Sequence, residues 1–278
     1  MASKILFGTA GVPHSASERD SISGIERIRE LGLGAMELEF VYGVHMKKDA
    51  AEQVRAAVKK ENVSLSAHAP YYINLNSEEK QKISASKQRI FESARIGSIA
   101  GAGKIVFHAG FYGKIGSKET FDNIACGIEE IAEKMKKEKV NAVLAPELTG
   151  KPKQFGSLLE LLQLTERVKG IELTIDFSHL HARTNGSLKE KKDFEKVLQE
   201  VKDFDAALLQ HLHMHASGIN YSEKGERNHL TLQDKANNFD YRLLMQALHD
   251  FNVSGTVICE SPNLEADAML MRNYFSSI

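Results

Sequence analysis

The chain has 278 residues, a formal net charge of −1, 42% hydrophobic and 26% charged residues. That supplies a sizeable core and excludes a disordered chain, while near-neutrality excludes nucleic-acid binding by bulk basicity, so such a partner would have to meet a local patch. Two cysteines without framework spacing, no run approaching the ~18 apolar residues of a membrane span, and an opening MASKILFGTAG without a signal-peptide core lead to the expectation of a cytoplasmic protein with no membrane partner.

Short β-favouring runs alternate with helix-period segments along the whole chain. Strands are expected near 4–9, 34–39, 63–68, 104–108, 141–147, 171–176, 208–214 and 253–260, each followed by a helical stretch. In the segment 78–100, Ile83, Ile90, Phe91 and Ala94 recur at three- and four-residue steps, the signature of one buried helix face. Similar faces appear at 117–138, 156–168 and 239–251. Eight strand–helix units, with no linker or break in composition, require a single α/β domain over 1–278, a (β/α)8 TIM barrel. The stretch 215–237 is the one long connection, and loops of that length in compact domains tend to be functional.

Polar residues collect where the strands end. His68, His108, Glu147, Asp176, His213 and Glu260 close strands three to eight, and the C-terminal ends of barrel strands are where barrel enzymes carry their chemistry. His179 follows Asp176 by three residues, and His229 lies in the long connection. One such residue alone is ordinary turn chemistry. Six in a row are not, because carboxylates crowded together raise one another's pKa unless cations offset the repulsion. Mixed imidazole and carboxylate donors suit zinc, manganese or iron better than calcium. His181 and His215 each lie two residues beyond a proposed ligand, where they would orient a ligand or touch substrate. His14, His45, His211 and His249 have no comparable setting and are read as surface or packing residues. Cys259, next to Glu260 on a strand, points to the opposite side.

The motifs HAPYYINLN at 68–76, FHAG at 107–110, PELTG at 146–150, IDFSH at 175–179, LHMHASG at 212–218 and CESP at 259–262 together resemble endonuclease IV, the metal-dependent apurinic/apyrimidinic endonuclease with a TIM-barrel fold. The resemblance implies up to three zinc ions, with manganese at one or more of the sites as a possible substitute. His68 and His108 would hold the first, and Glu147, the catalytic carboxylate, would bridge it to a second held by Asp176, His213 and Glu260. His179 would hold the third with an Asp-x-His pair. This chain departs from that pattern and offers Glu226-Arg227-Asn228-His229, so that Glu226 and His229 stand in. The implied reaction is hydrolysis of the phosphodiester 5′ to abasic sites in duplex DNA, carried out by a monomer. Tyr71 and Tyr72 match the side chains that the family inserts into the base stack, and Lys114, Arg183, His215 and Arg227 join them as expected contacts to DNA. Lys47, Lys48, Lys118, Lys151, Lys153 and Lys224 extend a basic rim. FVYGVHM, after strand two, does not resemble the Arg-bearing loop of the family.

Two rival readings follow from the same residues. Glu147, Asp176, His213 and Glu260 are also the ligand types, in order, of a one-metal sugar epimerase or isomerase of the xylose-isomerase-like barrel type, which would leave the other histidines without a role. A phosphodiesterase or nucleic-acid-binding barrel without lesion-specific activity is the third.

Overall fold

A computed structural model describes residues 4–278. In chain order the strands are β1 (Ile5–Ala10), β2 (Ala35–Glu39), β3 (Ser64–His68), β4 (Lys104–Phe107), β5 (Val143–Pro146), β6 (Thr174–Asp176), β7 (Leu212–Ala216), β8 (Gly218–Ser222), β9 (Gly225–Leu230) and β10 (Gly255–Cys259). The helices are α1 (Ser21–Glu30), α2 (Lys48–Glu61), α3 (Lys80–Ala100), α4 (Ser117–Lys137), α5 (Leu158–Arg167), α6 (Phe177–Arg183), α7 (Lys191–Asp205), α8 (Tyr241–Asp250) and α9 (Glu265–Phe275). Eight strands form one sheet in the order β5-β4-β3-β2-β1-β10-β7-β6, and every pairing with a resolved register in it is parallel. Strand and helix alternate around this sheet, the α/β alternation of a TIM barrel and the fold expected from the sequence.

The residues group into two compact units. One comprises Glu37–Thr149 and Lys153–Leu173; the other comprises the described residues up to Met36, Gly150–Pro152 and Thr174–Ile278. In the first, α4 shows why these helices form. Ile124, Ile128, Ile131 and Met135 make a buried stripe at three- to four-residue steps, Glu119 sits in the first turn, and Lys134, Lys136 and Lys137 sit in the last, complementing the helix dipole. Ser157 and Glu160 close a capping box on α5. Ala67 and Ile105 turn toward α3, where Gly97 leaves them room: a methyl there would lie 2.9 Å from Ile105 Cδ1.

In the second unit, β1 pairs with β10, β10 with β7, and β7 with β6. Two features differ from the sequence expectation. Ala206–Gln210 is a short 3-10 turn, so β7 starts later than expected and runs on to Ala216. Part of the long connection is the antiparallel hairpin β8–β9, whose polar strands carry no hydrophobic alternation to announce them. No helix among the described residues is long and apolar enough to cross a membrane.

Gly255 opens β10 at φ +144, and a Cβ there would overlap the Leu212 carbonyl oxygen of the neighbouring strand. Gly255→Ala is therefore expected to destabilise the protein by about 1–3 kcal/mol or more, read as a lower midpoint in urea unfolding.

Candidate metal sites

In the unit built on β3, β4 and β5, parallel register fixes which side chains share a face. His68 pairs with Val106, and Val106 with Ala145. Residues paired in a parallel ladder point the same way, and so do residues two apart on one strand. His68, His108 and Glu147 therefore project from one side of three neighbouring strands. The ladder continues past the strand ends, with Ala69 N donating to Val106 O at 2.8 Å and Glu147 N to Phe107 O at 3.0 Å, so none of the three stands on a loose loop.

Their donor atoms converge. Glu147 Oε2 lies 3.0 Å from His68 Nε2 and 2.8 Å from His108 Nε2. His68 Nδ1 donates to the Ala69 carbonyl at 2.7 Å, which orients Nε2 toward the carboxylate, the usual outer-shell arrangement of a metal-ligating imidazole. His68 and Glu147 are each 1% exposed. Burial alone lowers the His68 pKa, but the hydrogen bond and charge of Glu147, with the charges of Glu39 and Glu37, overcome it and push the value from 6.5 up to about 9. Glu37, fully buried on β2 and accepting from Ser66 Oγ at 2.7 Å, is a carboxylate that the sequence presents as an ordinary strand residue.

The second unit assembles another group. Asp176, His179, His229 and Glu260 each offer a donor atom within 4.8 Å of the others. Asp176 Oδ1 caps α6 by accepting from His179 N at 2.7 Å, and its Oδ2 lies 3.3 Å from His179 Nδ1. On the far side of that imidazole, His179 Nε2 meets His229 Nε2 at 3.3 Å and Glu226 Oε2 at 3.6 Å, and His229 Nε2 is 3.7 Å from Glu260 Oε2. Tetrahedral zinc with bonds near 2.0–2.1 Å holds neighbouring ligand atoms about 3.3–3.4 Å apart; the two Nε2 atoms stand at that distance, with the Glu226 and Glu260 oxygens at 3.6 and 3.7 Å from one or the other. His229 Nδ1 donates to the Glu260 carbonyl at 3.1 Å, leaving Nε2 as its ligand atom.

Residues three apart on a regular strand face opposite ways, so the spacing of Glu226 and His229 calls for an irregularity. The β8–β9 register supplies it. Tyr221 pairs with Glu226 but Asn220 pairs with Asn228, so Arg227 is an extra residue in a β-bulge. With Arg227 taken out of the alternation, Glu226 and His229 return to one face, as an Asp-x-His pair would. Gly150 makes room for the longer acid: a Cβ there would come within 2.6 Å of Glu226 Cβ and 3.0 Å of His179 Cδ2.

One ligand assignment shifts. The register puts His215 level with Asp176 and Ile258, and its Nδ1 lies 3.3 Å from Glu260 Oε1; His213 is a layer deeper, level with Thr174 and Thr256. His215, expected as an orienting or DNA-contacting neighbour, thus takes the level expected of His213, because β7 ends later than the apolar pattern of LLQHLHM implies. His181 is buried and accepts from Leu188 N at 3.2 Å through Nδ1; its other nitrogen meets Asn238 Oδ1 at 3.0 Å. Burial lowers its pKa from the usual imidazole value. Cys259 is buried and its thiol is pushed up to about 12 by that burial, which makes it no nucleophile. Tyr71 and Tyr72 are about half exposed, and the Tyr71 ring centroid is 5.3 Å from that of His68. Lys114 pairs with Glu78 at 3.5 Å, and Arg227 is exposed on the bulge. Arg183 donates to the Lys151 carbonyl at 2.8 Å, so it fastens a loop in addition to any part in a rim.

A family model described as xylose isomerase-like TIM barrel matches residues 25–274. The chain belongs to that family. An uncharacterized protein of Methanocaldococcus jannaschii is 42% identical over 275 residues, covering 99% of this chain and 98% of the relative. Among solved structures of similar fold, endonuclease IV from Thermus thermophilus superposes with a TM-score of 0.69 at 18% identity, covering 97% of this chain and 100% of the other. A D-tagatose 3-epimerase-like protein gives 0.70 at 18% identity, with coverage of 97% and 96%. A 3-keto-D-glucoside 4-epimerase from E. coli gives 0.64 at 16%, with coverage of 97% and 98%. Enzymes of both kinds share this fold, so the fold does not by itself choose between nuclease and epimerase chemistry.

The raised His68 pKa sets a pH dependence for protein stripped of metal by a chelator. Its pairing with Glu147 contributes stability that is fully present below pH 6.5 and is lost as pH rises through about 9. Urea midpoints of chelated protein are expected to fall across that window, and His68→Asn to flatten the fall.

Proposed function

We propose that this chain is a metal-dependent hydrolase of the endonuclease IV type, a monomer that cleaves the phosphodiester 5′ to abasic sites in duplex DNA with up to three zinc ions, manganese being an alternative occupant. The observation that carries the reading is the approach of His229 and Glu226 to His179 Nε2, at 3.3 and 3.6 Å, made possible by the bulge at Arg227, in addition to the triad of His68, His108 and Glu147. A one-metal enzyme has no use for two such sets. His68, His108 and Glu147 would hold one ion, and Asp176, His215 and Glu260 would serve another, with His213 behind them. Bound divalent ions would supply a Lewis acid and a water of lowered pKa. The residues themselves do the rest: the carboxylates hold charge opposite to that of the ions, and the outer hydrogen bonds of His68 and His229 fix which nitrogen is presented. Tyr71, Tyr72, Lys114, Arg183 and Arg227 are the proposed contacts to DNA. The two free thiols, Cys126 and Cys259, suit a cytoplasmic setting.

The epimerase reading is favoured by the fold similarity to ketose epimerases and by the carboxylates Glu147, Asp176 and Glu260. Metal count separates the two. Elemental analysis of unsupplemented protein is expected to give three ions per chain, falling by one in Glu226→Ala. A duplex with one abasic analogue is expected to be nicked 5′ to the lesion, with activity abolished by chelator and reduced by roughly 100-fold or more in Glu147→Gln, the scale of losing one electrostatic contact to the transition state. One ion per chain with no nicking would favour the epimerase, and binding without nicking the third reading.

A further inference from the structure

Four exposed aromatic residues gather in one place. Tyr42 is 83% exposed, Tyr71 52%, Tyr72 51% and Phe111 42%, and they sit on the three successive loops that follow β2, β3 and β4 in the unit holding the His68 triad. The loops are stitched together. Tyr71 N donates to Val41 O at 3.4 Å and Tyr72 Oη to Tyr42 O at 3.1 Å. Leu75 N donates to Ala109 O at 3.0 Å, and Asn76 Nδ2 to Phe111 O at 2.9 Å. The rings are thus carried on a braced surface, and the Arg89 guanidinium backs Tyr72 at 4.5 Å from its centroid. The row runs up to the candidate metal site, with the Tyr71 ring 6.1 Å from that of His108.

Solvent-facing aromatic residues beside a phosphodiester site have a natural complement in nucleobases. The faces of bases are available only where a strand is unpaired, since a duplex shows its partners edges and phosphates. Three of the cations near the row are matched by acids: Lys48 lies 3.7 Å from Glu52, Lys114 3.5 Å from Glu78, and Lys118 3.5 Å from Asp122. Each such pairing weakens the field that duplex binding depends on. We infer that Tyr42, Tyr71, Tyr72 and Phe111 form a stacking platform for unpaired nucleotides, so that this protein engages single-stranded nucleic acid, or a locally unpaired segment, in preference to intact duplex. The inference deepens the proposed function and rests on its assignment of nucleic acid as substrate. Tyr42 fills the loop in which the sequence departs from the endonuclease IV pattern, and stacking is the interaction that its ring can supply there.

The test measures binding alone. Fluorescence anisotropy of a short undamaged oligothymidylate, and of a blunt duplex of the same length, is followed with the full chain in excess chelator. The single strand is expected to bind at least about ten-fold more tightly, with a shallow salt dependence. Tyr42→Ala and Phe111→Ala are each expected to weaken single-strand binding roughly 5- to 100-fold, the range for one lost base–ring contact, while Tyr42→Trp keeps it. Tyr42 is almost fully exposed, so its removal should leave the urea midpoint unchanged. Equal or tighter duplex binding, or alanine variants that bind the single strand like the parent, would overturn the inference. Because lesion and metal are both absent from this assay, protein that binds the oligonucleotide but never nicks fails as a nuclease only; protein that nicks without preferring single strands fails here only.

Discussion

The rule that paired residues on parallel strands point to the same side is the constraint on which the rest depends. It places His68, His108 and Glu147 on one face without any of them having to reach, and it does the same for Asp176, His215 and Glu260. The opposite faces are occupied by apolar residues such as Ala67, Ile105 and Met214. Helix packing therefore holds the backbone while the polar face is left to chemistry. Around the histidines, hydrogen bonds to main-chain carbonyls decide which ring nitrogen is presented, so the donors are oriented before anything binds.

Holding so many carboxylates in place has an electrostatic cost. Glu37, Glu39 and Glu147 surround His68 in one unit, and their combined charge is enough to reverse the effect of burial on that imidazole. A proton satisfies a position that suits a divalent cation. Metal uptake there must displace that proton, which ties occupancy to pH through the same residues that would ligate the ion.

Much of this is legible in the sequence where short apolar runs begin after glycines and charged clusters and end in a histidine or an acid, because those ends are where a barrel carries its chemistry. His68, His108, Glu147 and Asp176 are readable that way. The seventh strand is harder, since HLHMH at 211–215 alternates in a way that permits either His213 or His215 to close it, and the decision lies in a 3-10 turn at Ala206–Gln210 with no sequence mark of its own. The hairpin after it is hidden for a different reason: the strands GINYS and GERNHL carry only one aliphatic side chain each, Ile219 and Leu230, so no period-2 apolar pattern exists to be read. The bulge at Arg227 does not show in one sequence, although the unusual three-residue spacing from Glu226 to His229 is its trace. Glu37 escapes notice because the two acids of AMELE, alternating with Met36 and Leu38, look like solvent-facing strand positions, whereas β2 buries Glu37 completely.

Asp176 divides its labour between its two oxygens. Oδ1 is committed to the first turn of α6, and that hydrogen bond holds the helix in place to present His179. A carboxylate so engaged grips a cation with one arm instead of two. Were an ion held here, calcium, which fills its coordination sphere partly by chelation through both oxygens, would be disfavoured relative to a compact ion satisfied by four partners. The start of a seven-residue helix thus decides which carboxylate oxygen is left to face such an ion.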